Sequence, residues 1–191
     1  MNFQKLVTVE SADEYLDQAF RQAGVDAERA RETRAQQTRF GKLMKSKDVE
    51  REKILAVQKV LRGNLQRILK SFPSLDQLPK FYHELIKITL DYGKFKKAFG
   101  GVQWAQQRID AITQKQLQRI KRAAAASAIN LARREYYGRT ASIMKQINDN
   151  LQYLKEARRV MKKYPDIKED ISTVAICGLP NVGKSTLLKA L

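Results

Sequence analysis

Large apolar residues recur at three- and four-residue steps along most of this chain, and that spacing restricts it to packed helices. Ile54, Val57, Leu61, Leu65 and Ile68 form the clearest stripe, widened by Leu55 and Leu69. A period near 3.6 residues places them all on one side of a helix. Phe72 and Pro73 should end it, because the residue before a proline is pushed out of the helical region. Ser74 and Gln77 then read as the cap of a short segment. A further helix is expected from Pro79 through Phe81, Leu85, Ile88 and Tyr92 to a break around Gly93, and Gly100 with Gly101 marks a second expected break. Val102, Ala105, Ile109, Ile112, Leu117, Ile120 and Ala124 predict one long helix to about Arg134, with Gly138 as its stop or kink. The run at residues 123–126 is all alanine and reads as helix at a close approach of two helices. Ile143, Ile147, Leu151, Leu154 and Met161 predict a last helix ending before Pro165.

Upstream of these stripes, Ser11 and Glu14 stand three apart in a capping box. The short helix it opens carries Tyr15, Leu16, Ala19 and Phe20 and is expected to stop near Gly24. Residues 26–48 are polar, and fit one exposed helix or a helix broken at Gly41. Three long amphipathic helices and an intermediate one, with short breaks, predict a mainly α chain whose residues 1–165 form an antiparallel helical bundle.

Residues 166–191 are of another kind. Gly178, Leu179, Pro180, Asn181, Val182, Gly183, Lys184 and Ser185 match the phosphate-binding P-loop pattern. Small residues there let backbone N–H groups close around phosphates, Lys184 reaches the β- and γ-phosphates, and the Ser185 hydroxyl ligates Mg²⁺. Residues 173–177, apolar and β-branched, read as a buried parallel strand ahead of the loop, with Cys177 packed on it. Residues 185–191 read as the start of a helix. The expected nucleotide contacts are Gly178, Asn181, Val182, Gly183, Lys184, Ser185 and Thr186. Neither Asp-x-x-Gly nor Asn-Lys-x-Asp occurs in the sequence. The expectation is therefore the first strand, loop and helix start of an α/β P-loop domain whose remainder is absent, with no catalytic residue in the chain as given.

Charge points to a second partner. With 37 Lys or Arg against 20 Asp or Glu, the net charge is +17, and a polyanionic partner is expected. Two runs of one sign stand out. Arg29, Arg31, Arg34, Arg39, Lys42, Lys45 and Lys47 crowd a segment with little core to build, and Arg108, Lys115, Arg119, Lys121, Arg122, Arg133, Arg134 and Arg139 line the long helix and its end. Arg34, Arg39, Lys42, Lys45, Lys47, Arg119, Arg122, Arg133, Arg134 and Arg139 are the candidate phosphate contacts. No zinc spacing or aromatic recognition run is present, so binding to backbone and shape, as on structured RNA, is expected. His83 is the single histidine and excludes a His-based constellation. A lone cysteine excludes an internal disulfide. No apolar run approaches the ~20 residues needed to cross a bilayer, and a soluble, intracellular protein is expected.

The residues from Tyr136 to Lys145, Leu151 to Arg158 and Tyr164 to Ile167, followed by the loop at 178–185, resemble in order and spacing the nucleolar GTP-binding protein 1 family of Obg-related GTPases. The stretch at 72–97, with Phe72, Pro73, Ser74 and Leu75 and then Phe81, Tyr82, His83, Glu84 and Leu85, is also similar to its N-terminal domain. The resemblance covers most of residues 72–191. It implies an N-terminal helical bundle ahead of a G domain, GTP or GDP with Mg²⁺ as ligands, and a role in large ribosomal subunit assembly with the bundle on ribosomal RNA. The compartment it implies is cytoplasmic for an archaeal member and nucleolar for a eukaryotic one. The competing expectation is a non-enzymatic basic module that binds an acidic protein or membrane surface.

Overall fold

The computed structural model describes residues 3–35, 41–74, 77–167, 174 and 176–190. After a 3-10 turn at Phe3–Lys5, the described residues form α1 (Ala12–Ala35), α2 (Lys42–Ser71), α3 (Lys80–Thr89), α4 (Tyr92–Arg122), α5 (Ala126–Gln146), α6 (Asn148–Met161) and α7 (Lys184–Ala190). No strand occurs among them.

The capping box forms as its spacing requires. The Ser11 N–H donates to the Glu14 carboxylate at 2.7 Å, and the Glu14 N–H to the Ser11 hydroxyl at 3.3 Å. The hydrogen bond from the Ser11 backbone holds the Glu14 carboxyl below its ordinary range. α1 does not stop at Gly24. Tyr15, Leu16, Ala19, Ala23 and Ala27 continue one buried face across it, and that burial outweighs the ~1 kcal/mol cost of a helical glycine. Gly41 is the N-cap of α2, so the polar stretch is divided there. α2 then ends at Ser71, before Phe72 and Pro73. Of the expected cap after it, Leu75 and Asp76 lie outside the described residues, while the Gln77 N–H donates to the Ser74 carbonyl at 3.1 Å.

Three expected breaks move. α4 begins at Tyr92, after Asp91, whose carboxylate caps it by accepting from the Lys94 N–H at 2.9 Å; Gly93 is inside the first turn. α4 then runs through Gly100 and Gly101. A Cβ on Gly101 would stand 2.1 Å from Asn150 Nδ2, so this glycine permits the close approach of α4 and α6. The chain breaks instead at the alanines: α4 ends at Arg122, Ala124 to Ala126 are exposed, and α5 passes straight through Gly138. Its continuation α6 follows a single turn residue, Ile147 (φ −96°, ψ 4°).

α1, α2, α4 and the α5–α6 rod form an antiparallel four-helix bundle. Cross-helix pairs fix the register: Asn64 to Gln18 at 2.9 Å, Gln58 to Asp110 at 2.6 Å, and the Ala12 N–H to Asn148 Oδ1 at 3.1 Å. Ile54, Val57, Leu61, Ile68, Ile109, Ile129, Leu151 and Leu154 are fully buried between them, each contributing about 1.5–3 kcal/mol on removal from water. No helix among the described residues is long and apolar enough to cross a membrane.

The expected strand is not present where it can be described. Thr173 and Ala175 lie outside the described residues, while Val174, Ile176 and Cys177 belong to no strand. Val174 is 87% exposed, and Cys177 is exposed rather than packed. A parallel strand satisfies its N–H and C=O groups on a neighbour, and the described residues supply none.

Candidate functional site

The run at 178–185 folds as a closed loop leading directly into α7. Gly183 takes a left-handed backbone (φ +84°), and so does Asn181 (φ 63°), a residue whose short polar side chain tolerates that region. A Cβ on Gly178 would meet Val182 Cγ2 at 3.2 Å and Lys184 Cδ at 3.8 Å, so the loop closes over its first residue. The Lys184 ammonium reaches back to donate to the Gly178 carbonyl at 2.9 Å and to that of Leu179. At the helix start the N–H groups of Thr186 and Leu187 donate to the Gly183 carbonyl at 3.1 and 3.0 Å. Those of Lys184 and Ser185, in the first turn, have no acceptor within the helix. Gly178, Asn181, Val182, Gly183, Lys184, Ser185 and Thr186 are thus brought together, with Ser185 exposed. Among the described residues no group of three His, Cys, Asp or Glu could hold a metal ion, so Ser185 offers a single oxygen for one.

Most of the described basic candidates gather at one end of the bundle, while Arg139 stands farther along, in the second half of α5. Antiparallel packing brings the start of α2, the end of α4 and the first half of α5 together there. Lys47 Nζ donates to the Lys121 carbonyl at 3.0 Å, capping α4, and Arg133 meets Glu50 Oε1 at 3.4 Å. The structure divides the candidates. Arg119 is hydrogen-bonded to Glu135 and holds that carboxyl below its ordinary range. Arg133 shares Glu50, itself buried, with Lys53, whose Nζ is 2.6 Å away. Lys47, Arg119 and Arg133 therefore spend their charge inside the molecule. Lys42, Lys45, Arg122, Arg134 and Arg139 enter no ion pair among the described residues, and all but the half-exposed Lys45 are exposed. Arg39 lies outside the described residues, as does the side chain of Arg34. Exposed Arg51 and Lys121 join this pole; Lys121 belongs to the basic run read from the sequence, whereas Arg51 was in neither run, although it follows Lys47 by one helical turn, a signal that could have found it.

At the opposite pole stands a residue that periodicity gave no reason to notice. Tyr82 is fully buried, and its hydroxyl accepts from the Ile167 N–H at 2.7 Å. The loop leaves the bundle from this pole, about 45 Å from the basic one along the 31 residues of α4.

Comparison with known proteins adds the following. The model of the NOG1 N-terminal helical domain matches residues 3–168. An uncharacterised protein of Methanocaldococcus jannaschii is 33% identical over 189 residues, covering 99% of this chain and 52% of that protein. Nucleolar GTP-binding protein 1 of Drosophila melanogaster is 27% identical over 187 residues, 98% of this chain and 28% of its own length. The protein of the same name from Caenorhabditis elegans is 29% identical over 136 residues, 71% of this chain and 20% of its own. The chain thus spans about half of the archaeal relative and under a third of these two eukaryotic ones.

Proposed function

Because the chain belongs to the nucleolar GTP-binding protein 1 family, whose N-terminal helical domain it carries, we propose that it acts in a GTP-binding factor for large ribosomal subunit assembly. Its bundle docks on ribosomal RNA through the basic pole, and its loop holds the nucleotide phosphates. The observation that carries the nucleotide half is the closed loop at 178–185, with left-handed Asn181 and Gly183 and the Lys184 ammonium drawn across it. The names of the eukaryotic relatives, which describe them as nucleolar and GTP-binding, support the same reading.

The loop's residues fit the group. The backbone N–H groups of Lys184 and Ser185, without acceptors in the helix, would suit an anion, and the Lys184 ammonium would exchange its carbonyl partners for phosphate oxygens, a stronger charge-assisted pairing. Ser185 would offer Mg²⁺ one oxygen, and the ion would neutralise charge on the bound phosphates. The P-loop opens an α/β GTPase domain whose water-orienting and guanine-reading segments are not in this sequence, so the chain as given binds phosphates without hydrolysing GTP. The compartment is cytoplasmic in an archaeal source and nucleolar in a eukaryotic one.

Titration of the protein from its full natural reading frame with a fluorescent GTP analogue and Mg²⁺ tests this reading. Lys184→Ala should weaken binding by roughly ten- to a hundredfold, the worth of a charged hydrogen bond, with the melting of the bundle unchanged. Equal affinity in the variant would remove the phosphate role of the loop.

A further inference from the structure

Both ends of α3 are tied to the point at which the chain leaves the bundle. At one end the Tyr82 hydroxyl accepts from the Ile167 N–H at 2.7 Å and lies 2.9 Å from the Pro165 carbonyl oxygen and 3.2 Å from that of Ile167. At the other, the Thr89 hydroxyl is hydrogen-bonded to that of Tyr164. Phe3 packs edge-on against both Tyr82 and Tyr164, with ring centroids 5.1 and 5.5 Å apart. Residues 164–167 are therefore pinned alongside α3.

The apolar face of α3 is wider than the bundle covers. At about 100° per residue, Tyr82 and Ile86 point inward and are fully buried. Phe81, Leu85 and Ile88, spaced i, i+4, i+7, form the adjoining flank. Leu85 is half-buried, Phe81 meets Tyr82 edge-on and is still 39% exposed, and Ile88 is 82% exposed. An isoleucine this exposed is unremarkable alone. Three apolar residues in register, beside a chain pinned by its backbone, form a seat.

What the chain does next identifies the occupant. From Ile167 to Val174 it has seven residues, at most about 25 Å, before it enters the segment with the phosphate loop. That segment also leaves apolar side chains exposed: Val174, Leu179, Val182, Leu187 and Leu188. The chain spans 52% of the length of its archaeal relative. A free partner needs on the order of 1,000 Å² of interface. An occupant on so short a tether meets the seat at millimolar effective concentration, and a small patch suffices. We infer that the Phe81, Leu85 and Ile88 flank of α3 seats the domain opened by the loop at 178–185, with Tyr82 clamping the chain beside it. The inference rests on the reading of that loop given above.

Hydrogen exchange tests it on the protein from its full natural reading frame, beside the 191-residue chain. The amides of residues 81–89 should exchange roughly tenfold more slowly in the longer protein. Ile88→Asp should cancel that difference without altering the melting of the 191-residue chain, and Ile88→Ala should cancel part of it. Protection that persists in Ile88→Asp overturns the seat, as does protection seen only with RNA added, or a reading frame that ends at Leu191. Nucleotide titration of the same samples separates the two readings. A protein that binds Mg²⁺ and GTP without protection at 81–89 overturns the docking and leaves the loop's role standing. Protection in a protein that binds no nucleotide supports the docking and overturns the loop's role.

Discussion

The Tyr136 ring is fully buried, and its hydroxyl keeps a hydrogen bond to Thr113 at 3.2 Å. Burial pushes this phenol up to about 12. A tyrosine in the unfolded chain ionises near 10. The unfolded state therefore releases its proton first, so the contribution to stability is whole below pH 10 and is lost as pH rises from 10 to 12. Tyr136→Phe should cost about 1 kcal/mol at neutral pH, the worth of one hydrogen bond; Thr113 keeps its own to the Ile109 carbonyl at 2.8 Å. Above pH 10 the advantage of the parent protein in melting temperature should shrink and then reverse, since the variant has no phenol to ionise. Curves that fall in parallel to pH 12 would show that this hydroxyl is not the group lost. At this scale the sequence was legible where chemistry is local. Ser11 and Glu14 gave the capping box, and Gly178 to Ser185 gave the loop, because each interaction lies within eight residues. Tyr82 was not legible, since its partners are more than eighty residues away.

The helix breaks obey one rule that glycine and alanine propensities conceal. Phe95, Ala98, Val102, Ala105 and Ile109 are buried at unbroken three- and four-residue steps across Gly100 and Gly101, so the helix has no reason to stop there. Ile120 and Ile129, both buried, stand nine residues apart. In a continuous helix that interval turns through about 900°, setting Ile129 on the face opposite Ile120. The chain must break to bury both, and it does so at Ala123 to Ala125, although alanine is the best helix former. The phase shift was present in the sequence, while composition pointed elsewhere. What sequence could not give is the reason for Gly101, which is Asn150 on another helix. Gly101→Ala alone should be neutral or destabilising, because Asn150 must turn away. In an Asn150→Ala background the same change should stabilise by up to about 1 kcal/mol. Chemical denaturation of the four proteins completes the cycle, and additive effects would refute the close approach.

At the scale of the molecule, the bundle separates its basic pole from the pole at which the loop departs. The basic runs were legible in sequence; their division was not, because it depends on which helices meet. Glu50 and Glu135 stand among basic residues in the chain, and packing sets each, Glu50 buried and Glu135 at the surface, against an arginine, Arg133 and Arg119. Of the candidate contacts, Lys42, Lys45, Arg122, Arg134 and Arg139 are left for a partner. If these five meet phosphates, reversing them to Glu should lower the slope of log affinity for large-subunit RNA against log salt by up to about 4, at 0.7–0.9 per contact. Helical content should hold, since none of the five is buried. Arg119→Gln with Arg133→Gln should act in the other direction: a lower melting temperature, because buried Glu50 is left with Lys53 alone, with the salt slope unchanged. Measuring both sets on RNA, an acidic peptide and anionic vesicles separates the readings. An unchanged slope in the five-fold variant would mark these side chains as a solvated face. Binding to peptide or vesicles as tight as to RNA would favour the interaction module over the ribosomal factor. A slope that falls equally in the Arg119 and Arg133 pair would mean that the ion pairs open to receive phosphate, and the division drawn from the packing would fail.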